Sequence, residues 1–586
     1  MQPMKRRNAA VPRPIHQSYP VPGPGRIYAG EYPGDRHPES AREKIAQALQ
    51  FGVTHFIDLT EAGELVPYAD LLPEGTVYRR FPVRDLGAPS STKDVFTLVE
   101  SICRTAEEPG SMVYIHCWGG IGRTGTIVAC LLAARMESPT LDSVLVTLRE
   151  AASAMPKAAW RDMPESDAQY GFISRFIHDL PALREGSRVD FRDRSRGCLM
   201  AGAAGDALGY PVEFMSLSSI KRRYGGKGIT SFRPEGGKAL VSDDTQMTLF
   251  TANGILMGIT RGATRGVGGY PPDYVGGAYL DWYYTQTGVK TDPLGNGFHY
   301  TWLRDLPQLA HQRAPGITCL SACESLLRRE KVVNDSKGCG GIMRVAPMGL
   351  LEAGYFLKGL RCEPVQVLKE GGEIAAVTHK HPLAILPAAL LAGLVYQAAI
   401  RTTEEASEEF ADLVRECLAL MEKAFDSPAY APHVDTMVRL TEAALAFAAD
   451  RSVPDGEAIR RLGEGWTGDE AWAVALFCAA RHIDDPLQAL VSAVNHDGDS
   501  DSTGAIAGNI VGAVYGYGAI REKLSPLCPE GRTLEETLEL SDLILTLADD
   551  LSTGCIISEY SELDTPGKRR WYNRYCEMIP DMQSIP

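Results

Sequence analysis

Zinc-type cysteine spacing, a leader-like apolar segment, internal repeats and a basic charge balance are all missing from this sequence. Each absence removes a class of function. The thirteen cysteines are odd in number and scattered, so neither a disulfide framework nor a zinc cage is expected, and the chain reads as reduced and cytoplasmic. The formal charge of −15 argues against broad binding to nucleic acid or an acidic membrane surface, while a locally positive pocket for a small anion stays open. Residues 1–26 hold Lys5, Arg6, Arg7 and Arg13 among six prolines without an apolar core, which predicts a disordered tail and no secretory signal. The longest apolar run, Leu383 to Ile400, is interrupted by Pro387 and Gln397 and reads as a buried helix, not a membrane span.

What is present divides into two styles. At 586 residues the chain exceeds a single core, and its 44% apolar and 23% charged content is globular. From 27 to 183, β-type runs (Val53 to Leu59, Met112 to His116) alternate with helical ones (Glu39 to Phe51, Thr124 to Arg135), which predicts an α/β domain with a mostly parallel sheet. Residues 184–193 are charged and poor in apolar side chains, a predicted linker. From 194 to 586 strand signals nearly vanish, and Ala/Leu/Gly-rich helical stretches predict an all-α domain. Ala505, Gly508, Gly512 and Gly516 fall at a spacing that lets helix axes approach closely.

In the first region the stretch from Val113 to Gly125 contains His116-Cys117-Trp118-Gly119-Gly120-Ile121-Gly122-Arg123-Thr124. A strand ends at His116, and Gly119, Gly120 and Gly122 permit backbone conformations that let N–H groups converge on one point. The helix starting near Arg123 aims its positive end there. An anion at that point would gain a bidentate fork from Arg123, and the same field favours the thiolate of Cys117, poised to attack phosphorus. Thr124 is placed to donate to the departing sulfur. Asp85, in the loop from Pro82 to Pro89, is the candidate proton donor to the leaving oxygen, a role in competition with that of a plain turn residue. A lone buried cysteine is usually inert core; the complete loop with its arginine reverses that reading.

The larger region holds two acidic clusters, Ser242-Asp243-Asp244-Thr245 and Asp499-Ser500-Asp501-Ser502-Thr503. Either alone reads as a helix N-cap worth about 0.5–2 kcal/mol. Both border apolar helices, where unpaired carboxylates are costly, so two clusters facing each other would need cations. Hard oxygen donors select magnesium, manganese or calcium over zinc, and four carboxylates with two hydroxyls suit a pair of ions. Glu213, after a small-residue helix, is a further candidate acid. Ser336-Lys337-Gly338-Cys339-Gly340 is a glycine loop able to offer N–H groups to a diphosphate, and His379 lies in a helix-start segment where a core role competes.

The His-Cys-x5-Arg-Thr-Gly loop closely resembles that of the cysteine-dependent tyrosine and dual-specificity phosphatases. The resemblance implies a phosphocysteine intermediate, Asp85 as acid then base, no cofactor, and a phosphomonoester substrate. The blocks of the larger region, with Tyr279-Leu280-Asp281-Trp282-Tyr283, resemble the ADP-ribosylglycohydrolase family. That resemblance implies an all-α fold with two magnesium ions held by Ser242, Asp243, Asp244, Asp499, Asp501 and Ser502, with Glu213 beside them. It also implies a diphosphate on Ser336 to Gly340, and His379 bordering the adenosine side. Ser242 and Ser502 stand where many members carry Thr, and Cys339 where some carry Asn. The expectation is a bifunctional hydrolase acting on ADP-ribosylated and phosphorylated substrates, protein or small molecule; the alternative is that one domain only binds and serves the other. The sequence does not distinguish the ADP-ribose linkage.

Overall fold

The computed structural model describes residues 12–73, 75–186, 189–266, 269–289, 298–358, 360, 362–558, 561–563, 565–576 and 579–580. The chain divides into two units, Met1–Arg188 and Val189–Pro586.

The first unit is built on the alternation seen in the sequence: β1 (Ser18–Pro20), β2 (Ile27–Gly30), α1 (Pro38–Phe51), β3 (His55–Asp58), β4 (Val77–Arg80), α2 (Thr92–Glu107), β5 (Val113–His116), α3 (Gly122–Arg135), α4 (Leu141–Ala152) and α5 (Asp167–Gly186). Its five strands lie in the order β1-β2-β5-β3-β4, parallel except for β1 on β2. The tail expectation is corrected by β1: Ser18 to Pro20 pair in register with Gly30 to Tyr28, so this part of 1–26 belongs to the sheet, while residues 1–11 lie outside those described. Helix starts follow local chemistry. Pro38 opens α1, and the Ser91 hydroxyl accepts the Asp94 N–H at the head of α2. Central β5 is buried along its whole length, which carries its C-terminal end, His116, into the interior beside the loop that follows.

The second unit is helical, with one short strand pair among the described residues, Phe298–His299 on Ile579–Pro580. It opens with α6 (Phe191–Gly209), α7 (Leu217–Tyr224) and α8 (Asp243–Arg265). The linker expected at 184–193 contracts, because α5 continues to Gly186 and α6 begins at Phe191. Helix α6 packs along the Ser500–Lys523 helix at near backbone contact. A Cβ on Gly205 would lie 2.0 Å from the Gly504 carbonyl oxygen, and one on Gly508 would lie 2.1 Å from that of Ala201. Only hydrogen fits at these crossings, as the small-residue spacing predicts. Gly516 does something further: at φ +75° it kinks the helix. The apolar run becomes the helix Pro382–Ala399, long and apolar enough for a membrane but 94% buried inside this unit's core.

Candidate active sites

In the first unit β5 delivers His116 and Cys117, and the loop 118–121 turns back to start α3. Gly120 has φ +76°, and a Cβ there would fall 2.4 Å from the Gly30 carbonyl carbon on β2. The loop is pressed against the sheet where no side chain fits. The Gly120 N–H donates to Cys117 Sγ at 3.3 Å, and the Thr124 hydroxyl is buried without a hydrogen-bond partner among the described residues. Arg123 is 2% exposed, its Nη1 and Nη2 gripped by Glu64 Oε2 and Oε1 at 2.7 and 2.6 Å, with the Val83 carbonyl at 3.0 Å from Nη1. Asp85 Oδ1 lies 3.0 Å from Nη2 at a half-exposed position. The structure thus brings Cys117, Arg123, Thr124 and Asp85 to one place.

His116 lies behind the cysteine. Its Nε2 is 2.6 Å from the Tyr68 hydroxyl, and its Nδ1 is 3.8 Å from Asp58 Oδ1. Burial pushes His116 down to about 4, so the ring is neutral at physiological pH. Burial opposes the charge on Asp58, but His116, the Tyr78 hydroxyl and Thr60 outweigh it and hold its carboxyl below the usual range. Glu64, Asp58 and Tyr68 carry no local motif; only the fold brings them to the loop.

In the second unit Ser242 caps α8, its hydroxyl accepting the Asp244 N–H at 3.2 Å. Asp499 caps the Ser500–Lys523 helix through Ser502 N–H. The capping and ligand readings therefore coexist on the same residues. Asp243, Asp244 and Asp501 are buried as well, Asp501 accepting the Ser502 N–H at 3.0 Å and Asp243 the Gly316 N–H at 3.3 Å. Oxygens of Glu213, Asp499 and Asp501 lie within 4.8 Å of one another. The Ser502 hydroxyl favours the charged form of Asp244, so the two clusters act on each other. Asp206 on α6 belongs to no motif of the sequence, though a lone carboxylate in a small-residue helix is a signal in itself. It accepts the N–H groups of Ser242 and Thr245 at 2.9–3.1 Å and so fixes the turn that carries Asp243 and Asp244.

Burial, reinforced by the other carboxylates, pushes Glu213 up to about 9 and Asp243 to about 8 and raises Asp244 and Asp501 strongly, while burial lifts Asp206 to about 6 against the hydrogen bonds it takes from Thr245 and Ser242. Among the described residues, Glu213 Oε2 and Asp244 Oδ2 are buried without a hydrogen-bond partner. Crowded acids with unpartnered oxygens are what a hard divalent cation would satisfy, so these residues fit the metal centre the sequence implies.

The expected diphosphate loop is partly turned inward. The Cys339 N–H donates to the Trp466 carbonyl at 3.2 Å, and the Gly338 N–H faces the Ser336 hydroxyl at 3.4 Å. Those two donors are corrected from free to occupied. The Cys339 thiol donates to Asp499 Oδ2 at 2.7 Å, and Lys337 Nζ stands 4.0 Å from Asp469. His379 packs on the loop, its ring 3.1–3.3 Å from where Cβ atoms of Gly338 and Gly340 would be. Burial, with Arg344 nearby, holds it down at about 3.

Comparison with known proteins matches both units. A family described as ADP-ribosylglycohydrolase covers residues 187–556. A second, described as Swiss Army Knife protein, DSP-PTPase phosphatase domain, covers 24–167. "Putative tyrosine phosphatase 067L" of Invertebrate iridescent virus 3 is 32% identical over 155 residues, 25% of this chain; the chain spans 63% of that relative's length. The uncharacterized protein YegU of Escherichia coli is 25% identical over 343 residues, 56% of this chain and 89% of its own. A solved structure titled "ADP-ribosylglycohydrolase-related protein complex" is 23% identical, with a TM-score of 0.41, covering 62% of this chain and 98% of its own. Both units thus fall in hydrolase families, and the chain belongs to the ADP-ribosylglycohydrolase family, with a cysteine-based phosphatase domain as its first unit.

Proposed function

We propose that the chain is a cytoplasmic hydrolase with a centre in each unit, one removing ADP-ribose from a modified macromolecule or small conjugate and the other hydrolysing phosphomonoesters. The observation that carries the first activity is the convergence of Glu213, Asp499 and Asp501 oxygens within 4.8 Å, beside Asp243 and Asp244. Asp243, Asp244, Asp499 and Asp501, with the hydroxyls of Ser242 and Ser502, would hold two magnesium ions. Bound there, the ions would supply positive charge to the ribose hydroxyls and to a nucleophilic water. Asp206 holds the Ser242–Thr245 turn in register. Glu213, unpartnered at Oε2, holds a proton beside the reacting carbon. Ser336 to Gly340 and His379 would border the diphosphate and adenosine.

In the first unit the Cys117 sulfur attacks phosphorus while the ester P–O bond breaks, and Asp85 gives the leaving oxygen its proton. Arg123 and the loop N–H groups hold the phosphoryl oxygens. Water then attacks the phosphocysteine, with Asp85 accepting its proton and the free Thr124 hydroxyl donating to the departing sulfur.

The test is ADP-ribose release from arginine-, serine- and DNA-linked substrates with magnesium or EDTA, beside Asp499→Ala. Metal-dependent release that disappears in the variant is expected; the same release in EDTA would refute the metal reading.

A further inference from the structure

A strongly basic surface interrupts this acidic chain just beyond Glu213. From Leu217 to Pro234 the sequence holds Lys221, Arg222, Arg223, Lys227 and Arg233 and no acid. All five are exposed, and among the described residues none stands in an ion pair. An ordinary solvated face intersperses its charges, as Arg415 does with Asp412 and Glu442 in this same unit. Here the cations gather instead: the Arg223 and Arg233 guanidinium groups lie 5.4 and 4.9 Å from the Tyr224 ring centre. Like charges held together repel and add nothing to folding, so their neutralisation has to come from outside the chain.

The basic segment is fastened to the loop that leads into Asp499. The Leu217 N–H donates to Asp497 Oδ1 at 2.7 Å. The Ile229 N–H and carbonyl both pair with the Asn495 side chain at 2.8 Å. Next to Glu213, Phe214 is 75% exposed, and its ring stacks on that of Trp466, itself 38% exposed, at 5.8 Å and 19°. The Trp466 carbonyl in turn binds the Cys339 N–H, and the neighbouring Glu464 carbonyl binds the Asp499 N–H. Two exposed aromatic rings and a cluster of unpaired cations therefore both attach to backbone that carries the acidic centre.

We propose that α7, the loop to Arg233 and the Phe214–Trp466 pair bind a single-stranded nucleic acid and present it to the acidic centre, so that the ADP-ribose removed there is attached to a nucleic-acid strand. The five cations take backbone phosphates, and the rings supply planar faces on which bases stack, the two components of sequence-tolerant single-strand binding. An acidic peptide would satisfy the cations but would leave the rings without planar partners. The net charge of −15 confines the contact to this face. The second half of the proposal rests on the glycohydrolase reading; the first half does not.

The experiment is fluorescence anisotropy with the full chain in EDTA. The probes are labelled oligo(dT) and oligo(rU) of about twenty nucleotides, with labelled polyglutamate of similar length as comparator, from about 50 to 200 mM salt. Oligonucleotide binding that weakens steeply with salt is expected, with a log–log slope of about −2 to −4 for three to five phosphate contacts. Combined Lys221→Glu, Arg222→Glu and Arg223→Glu should weaken it more than about tenfold, the corresponding alanine triple less, and Trp466→Ala about fivefold or more. Unchanged melting temperatures show that the variants fold. Polyglutamate binding as tightly as the oligonucleotides, no oligonucleotide binding, or binding indifferent to the triple reversal would each overturn the proposal. Release of ADP-ribose from a small arginine conjugate, assayed in parallel with magnesium, separates the two readings. Turnover of the conjugate without oligonucleotide binding sinks the nucleic-acid inference alone; binding without release from any substrate sinks the glycohydrolase reading alone.

Discussion

Glu64 holds Arg123 by both carboxylate oxygens, at 2.6 and 2.7 Å, and the Arg123 fork keeps the Glu64 carboxyl below its ordinary range. The guanidinium plane is thereby fixed before any phosphate arrives, with Asp85 on the same Nη2. Such prior orientation spares the substrate the cost of ordering a long side chain. Glu64→Gln should lower kcat/KM for p-nitrophenyl phosphate about 10–100-fold, mostly through KM, and weaken vanadate inhibition in parallel. An unaltered KM would show that Arg123 is oriented by other contacts.

Phosphoryl transfer should depend on Cys117 and Asp85 in different ways. Cys117→Ser is expected to abolish turnover. Asp85→Asn should cost about 10²–10⁴-fold with a poor leaving group such as phenyl phosphate, and clearly less with p-nitrophenyl phosphate, whose oxygen needs little help from a proton. Equal losses on both esters would remove the acid role from Asp85.

The acidic centre links metal, pH and stability. With no cation, Asp243 and Glu213 keep protons up to about pH 8 and 9, protons that the unfolded chain releases near pH 4. The folded state therefore binds more protons across that window, and the stability of the metal-free protein falls as pH rises through it. A cation held by Asp243 takes the place of its proton. The gain in melting temperature on adding magnesium to EDTA-treated protein should therefore widen from about pH 6 to pH 9, by at least about 3 °C. A gain that stays flat or narrows with pH would contradict the assignment.

Asp206 positions the turn that carries two of the acids. Asp206→Asn replaces an oxygen facing N–H donors with a donor of its own, at an expected cost of about 1–3 kcal/mol and about a 10–100-fold loss of magnesium affinity. Calorimetric titration and thermal melting measure both. Full magnesium affinity in a destabilised variant would leave Asp206 a purely structural role.

The crossing of α6 on the Ser500–Lys523 helix sets the distance between the two halves of the acidic centre. Gly508→Ala would drive a methyl group into the Ala201 carbonyl and should destabilise by about 1–3 kcal/mol. Magnesium affinity should fall with it, because α6 carries Asp206 and the other helix carries Asp501. A variant with wild-type melting and metal binding would mean that the helices separate without strain.

Features that depend on residues near one another in the chain were legible in the sequence. Alternating strands and helices marked the first unit, the glycine loop between His116 and Arg123 marked a phosphate cradle, and Ser242 and Asp499 marked helix starts that are also acidic clusters. Spacing along one strand, loop or helix specifies these features, because period and turn chemistry act over a few residues. It could not show which distant groups meet. Glu64 reaches Arg123 from a loop without a motif, Asp206 anchors a turn on another helix, and Trp466 occupies an N–H of the glycine loop that sequence alone would leave free. The part of the tail at Ser18 to Pro20 found a strand partner that its prolines concealed. Tertiary structure decided these points, because burial and the convergence of charges from separate elements turn a row of carboxylates into a centre that demands a cation.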